Sequence, residues 1–262
     1  MSTFDKIPES YEESLTEILL RLADDRLIHG HRLSEWAGHG PELEEDLALA
    51  NVALDMIGHS SALYRYAAEL EDKKDEDHYA YFRDDIDFKN VAMVELPKGD
   101  FAFTILRQFL FSAYSYYLYK ELIATVKDEQ LNGMLRKHFK EIQYHLRHSR
   151  EWVLRLGDGN EESHLRIREA LQELWMYTGE LFEMDGTFKA ALSHGLFVDT
   201  TSFKTDWEKL VFETLEEATL NLPEKDQYMF SGARDGRHTE HLGNLLAQMQ
   251  FLRRSYPDAE WK

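Results

Sequence analysis

Between Phe101 and Lys120 the chain contains no Asp or Glu, and from Gln108 to Tyr119 it carries no charge for 12 residues. A helix built from this segment is apolar on nearly every side, so other helices have to enclose it. A bilayer span needs about 20 such residues. The segment is therefore expected at the centre of a helical bundle, not in a membrane.

Patterns on either side supply the other helices. Ser10 and Glu13 form a capping box ahead of Leu15, Ile18, Leu19 and Leu22, which predicts a first long helix running toward Leu33 and Trp36 and stopped by Gly38 and Gly40. Pro41, placed in a first turn with Glu42, Glu44 and Glu45 near the positive end of the dipole, predicts a second helix to about Leu70, closed by the acidic stretch 69–77. A polar segment with Pro97 and Gly99 leads into the third helix, about 100–126, and the fourth covers 128–156. Shorter helical patterns follow near 165–183, 205–220 and 236–254, separated by Gly186, Gly195, Pro223 and Gly232. The reading is an all-α protein in one domain over 1–262, with a four-helix core at about 10–156 and additional helices at about 163–256.

Charge and composition narrow the function. A formal net charge of −19 repels nucleic acid and anionic lipid, so neither is an expected partner. With no cysteine there is no disulfide, thiolate metal site or cysteine nucleophile. The stretch 1–10 has neither the basic nor the apolar region of an export signal, which makes the cytoplasm the expected location.

A bundle that activates dioxygen at two irons takes one carboxylate from each of two helices and a Glu-x-x-His pair from each of the other two. Here Asp55 is followed three residues later by Gly58, not His, and His145 is preceded by Ile142, not a carboxylate. On the first helix, Ile18, Leu22, Asp25 and His29 share a stripe; the second presents Asn51, Asp55 and His59, and the fourth His138, Ile142, His145 and Trp152. Asp25, Asp55 and His145 are thus expected to converge, with Asp24 the poorer alternative. Three ligands cannot balance two iron cations, so at most one loosely held ion is expected, and a hydrogen-bonded network of Asp, His, Asn and Tyr is the favoured reading. Asp25 with His29, Asp55 with His59 and Glu141 with His145 are read as local i,i+4 pairs. The Asp/Glu-x-x-His matches at Asp75, Glu161 and Asp235 fall at loops or helix ends and are set aside.

The strings LADDRLIHGHRLSEW (22–36), PELEEDLALAN (41–51), YHLRHS (144–149) and TEHLG (239–243) resemble the C-subunit family of the bacterial phenylacetyl-CoA epoxidases, and the likeness runs from the first helix to the last. The resemblance implies a ferritin-like fold and a structural, non-catalytic subunit, forming a homodimer within a hetero-oligomer. A homologous catalytic subunit would carry the di-iron site, a reductase subunit with FAD, an iron–sulfur centre and NADPH would supply electrons, and a small bridging subunit would complete the assembly. Against the catalytic subunit's pattern, Asp25 and Asp55 fall at Glu ligands, Gly58 at a His, Asn51 at a Lys, and Ile142 at the Glu before His145. The competing readings are a metal-dependent oxygenase, di-iron or mononuclear, acting through its own bundle site, and an unrelated helical binding protein.

Overall fold

The computed structural model describes residues 7–73, 75–222 and 227–259. Pro223, read as a helix separator, and the first six residues of the stretch searched for an export signal lie outside these. Every regular element among the described residues is helical, in a ferritin-like arrangement, and no helix is long and apolar enough to cross a membrane.

Two antiparallel hairpins make the core: α1 (Tyr11–Ser34) with α2 (Leu43–Leu70), and α5 (Phe101–Thr125) with α6 (Glu129–Gly157). The capping box at Ser10 and Glu13 starts α1. Asp100 and Asp128, each accepting a backbone N–H three residues on, start α5 and α6. Gly38, at φ 79°, turns the chain after α1. Two ends differ from the sequence pattern. Helix α1 stops at Ser34, and Trp36 leaves it to donate its indole N–H to Thr104 at 3.0 Å. Pro41 lies outside α2, whose N-cap is Glu42, because Asp46 reaches back to accept the amides of His39 and Gly40.

Helix α5 is enclosed as its composition demands. It packs on α6, on α7 (Glu161–Leu174) and on α9 (Lys204–Glu217), and the Trp207 indole bonds the Leu110 carbonyl at 3.2 Å. The predicted 165–183 helix is α7 followed by two short 3₁₀ turns, and the last predicted helix is α10 (Glu240–Ser255). Gly186 is not a separator: capped by Asp185, it opens α8 (Gly186–Ser193), which packs on α1.

The largest departure is the segment between α2 and α5, read from sequence as a polar connection. It holds α3 (Asp77–Tyr81) and α4 (Ala92–Glu95), and from Val91 to Leu96 every residue is buried. Carboxylates of the core satisfy its backbone: Asp24 accepts the Lys89 amide, Asp25 that of Val91, and Glu180 that of Ala92, at 2.7–2.8 Å. Glu180 also accepts the amides of Gly232 and Ala233, clamping a second loop onto the first.

Burial pushes the Glu180 carboxyl up to about 7 from 4.5, against the pull of those amides and of Arg234. A raised folded value means that this contribution to stability is complete below about pH 4.5 and is lost as pH rises through about 7. Relative to Glu180→Gln, the wild-type chain is expected to lose about 3 kcal/mol of stability between pH 4.5 and pH 8. Urea denaturation of both proteins across that range measures it, and parallel curves would contradict it.

Candidate functional site

Helices α1, α2, α5 and α6 meet around a cluster of histidines whose centre is an arginine. The His59 and His138 rings stack at 3.8 Å, and the His145 ring lies 6.4 Å from His59. Two carboxylates bind the cluster from its rim: Asp55 takes the His145 Nε2–H at 3.0 Å, and Glu141 takes the His59 Nε2–H. Asp55 lies on α2 with His59, and Glu141 on α6 with His145. The i,i+4 pairs read from sequence therefore exchange partners, so that each carboxylate bonds the histidine of the other helix and stitches α2 to α6.

Arg26 of α1 is 2% exposed and projects into this cluster. Its guanidinium donates to the Leu22 carbonyl at 3.2 Å and the Ser115 hydroxyl at 3.5 Å, and lies 4.6 Å from the Tyr119 ring centroid. Among the described residues, no carboxylate forms an ion pair with it. Burial and this fixed positive charge hold the neighbouring imidazoles neutral: His138 falls to about 3, and His59 falls further, lowered by burial, His138 and Arg26. His29, edge-on to Phe111 at 5.1 Å, is pushed well below the usual range by burial, Arg107, His145 and Arg26. The void bounded by Arg26, His59, Ser115, Ile142 and His145 is about 10 Å³. That is room for one water molecule and for no organic substrate.

The expected ligand positions separate. Asp55, Ile142 and His145 come together as read. Asp25 does not join them: it is buried, but bonds Arg234 at 2.9 Å and the Val91 amide. Asp24 is likewise taken by Arg83, Tyr64 and the Lys89 amide. The stripe argument failed here because α1 is buried on all sides from Ile18 to Gly30, so periodicity alone cannot say which neighbour a residue meets. Asn51 and Gly58 lie on the exposed face of α2, and a Cβ at Gly58 would meet nothing within 4 Å. His59, one place later, takes the inward direction.

These donors do not suit a pair of irons. Two cations need several bridging carboxylates between the helices, whereas this interior holds a guanidinium, neutral imidazoles and hydroxyls, with Asp55 and Glu141 at its half-exposed edge. Among the described residues no group of three or more His, Asp or Glu is placed to hold a metal ion. Arg26 was the residue that sequence reasoning missed. Its signal was present in the run Asp24-Asp25-Arg26, three consecutive charges near the middle of a helix that has to be enclosed.

A larger cleft, about 540 Å³, lies between the 96–103 segment and α7, bounded by Asp100, Phe103, Arg166, Glu173 and Tyr177. Its charged groups are largely paired or acidic, with Arg166 bound to Asp100 at 3.2 Å. His238, set aside in the sequence, is structural: it bonds Glu95 and the Phe88 carbonyl at 3.0 Å, and Glu95 raises it from its ordinary value against the effect of burial.

The sequence model of the family described as Phenylacetic acid catabolic protein matches residues 1–261. The C-subunit of the 1,2-phenylacetyl-CoA epoxidase of Escherichia coli (strain K12) is 44% identical over 247 residues, covering 94% of this chain and 99% of that protein.

Two of the buried arginines give opposite expectations for the same substitution. Arg234→Met strips Asp25 of its partner and is expected to destabilise the fold by about 3–5 kcal/mol, whereas Arg26→Met removes an unpaired buried cation and is expected to cost under about 2 kcal/mol, or to stabilise. Chemical denaturation of the two variants compares them directly. Equal losses would mean that Arg26 has a charge partner that the geometry does not reveal.

Proposed function

The chain belongs to the phenylacetic acid catabolic protein family, and from that membership we propose that it is the non-catalytic structural subunit of a multicomponent phenylacetyl-CoA epoxidase. In this reading it binds and supports a homologous di-iron catalytic subunit. The observation that carries the proposal is Arg26, a guanidinium seated among neutral histidines where an oxygen-activating bundle would gather carboxylates. Iron, FAD, iron–sulfur and NADPH chemistry then belongs to the partner and reductase subunits. This chain contributes a bundle whose interior is stable without a cofactor. A homodimer of this chain within the hetero-oligomer, a small bridging subunit and a cytoplasmic location complete the proposal.

The His–carboxylate pairs offer the decisive test, because they are ligand-type residues used here as cross-links. Asp55→Asn and His145→Gln are expected to lower stability by about 1–3 kcal/mol and to leave epoxidation per assembled complex unchanged. The purified chain is expected to hold far less than two irons. A loss of turnover beyond about a thousandfold, roughly 4 kcal/mol of barrier, with unchanged melting and assembly would instead favour a metal-dependent oxygenase acting through this bundle.

A further inference from the structure

The interior around Arg26 is rich in hydrogen-bond donors and poor in negative charge. Arg26 is 2% exposed and carries five N–H groups. It bonds the Leu22 carbonyl at 3.2 Å and, at the limit of a hydrogen bond, the Ser115 hydroxyl at 3.5 Å. Ser115 Oγ is thereby an acceptor, and so is Ser112 Oγ, which takes the Gln108 Nε2–H at 2.7 Å. Neither hydroxyl donates to any described residue, so each keeps a hydrogen to place. Arg26, Ser112 and Ser115 border the same cavity of about 10 Å³, whose remaining wall includes Met56, His59 and His145. The nearby carboxylates are committed elsewhere: Asp24 to Arg83, Asp25 to Arg234, Asp55 to His145 and Glu141 to His59. A guanidinium taken out of water without a counter-ion is costly.

We infer that this cavity binds one monatomic anion, chloride in ordinary solution, held by the Arg26 guanidinium and the hydroxyls of Ser112 and Ser115. The chemistry favours an anion over water. A water molecule accepts hydrogen bonds but brings two hydrogens of its own into a site already rich in donors, and it leaves the charge of Arg26 unbalanced. A halide only accepts, and it balances the charge. Size restricts the class further. The cavity is about as large as one water molecule, so phosphate, sulfate and carboxylates are excluded. Chloride is a little larger than water, and Met56, an unbranched side chain of the kind that fills irregular gaps, is the part of the wall that yields. The inference concerns the interior of this chain and does not depend on which subunits assemble with it.

The test uses the full chain, purified and dialysed into sodium gluconate, whose anion is too large for the cavity. Replacing gluconate by chloride or bromide at constant ionic strength is expected to raise the melting temperature by about 3 °C or more at saturation, along a single-site curve. Arg26→Met is expected to remove that response, so the cost of this substitution grows as halide is added. Ser115→Ala is expected to raise the halide concentration for half the effect at least fivefold. Crystals grown in bromide are expected to show one anomalous-scattering peak inside the bundle, in contact with the Arg26 guanidinium. Should Arg26→Met fail to fold, the bromide peak in the wild-type crystal and the Ser115→Ala shift decide the matter. A melting response of equal size in wild type and Arg26→Met, as ions at the surface would produce, overturns the proposal. So does a wild-type crystal in which bromide lies only at the surface and water occupies the cavity beside Arg26.

Discussion

Asp24 and Asp25, both almost fully buried near the middle of α1, hold the irregular half of the protein against the helical half. Neighbouring residues on a helix point about 100° apart, so the two carboxylates collect different partners. Asp24 gathers Arg83, the Tyr64 hydroxyl and the Lys89 amide, while Asp25 gathers Arg234 and the Val91 amide. Each carboxylate thereby satisfies a backbone amide of the 83–96 segment and a buried guanidinium, Arg83 of that segment for Asp24 and Arg234 for Asp25. Once that segment is docked, Glu95 and Glu180 face inward and can bind the chain from Gly232 to Thr239. Burial of Phe88, Val91, Met93, Val94 and Leu96 holds the same segment from its apolar side.

The four core helices were legible because long amphipathic runs, caps and turn residues agree with one another, and the core helix ends fall within about two residues of the pattern. The buried 83–96 segment was not. What places it is a set of backbone amides bonded by carboxylates some 60 to 90 residues away in the chain, and local periodicity contains no trace of such partners. The candidate site was legible in part for a related reason. Asp55, Ile142 and His145 could be read because α2 and α6 each keep an exposed side that orients the pattern, whereas α1 keeps none through the bundle, and so Asp25 was assigned the direction that Arg26 takes. Nor could spacing distinguish His59 bonding Asp55 on its own helix from His59 bonding Glu141 across the bundle.

Arg26 follows directly from Asp24 and Asp25 in sequence yet points away from both. The two anions face the loop layer, which supplies cations, and the cation faces the four-helix interior, which supplies neutral imidazoles, a hydroxyl and the Tyr119 ring. An interior organised in this way resists divalent cations by repulsion as well as by lack of ligands, because a fixed positive charge at low dielectric acts over several ångströms. Two histidine–carboxylate pairs, His145 with Asp55 and His59 with Glu141, lie at the edge of this interior. Each joins α2 to α6 through a carboxylate at the rim, where solvent moderates the cost of the charge.

Helix α2 connects this interior to the outside. Asp55 is half-buried and His59 wholly so, and both join the cross-links to α6, while Leu54 and Gly58, each one residue away, face outward with nothing over them. A helix whose inner side is pinned by two interhelical bonds presents its outer side with little freedom to rearrange, and pre-ordering of that kind reduces the entropy lost when a partner docks. The interior chemistry and the exposed face are thus two consequences of one arrangement of α2.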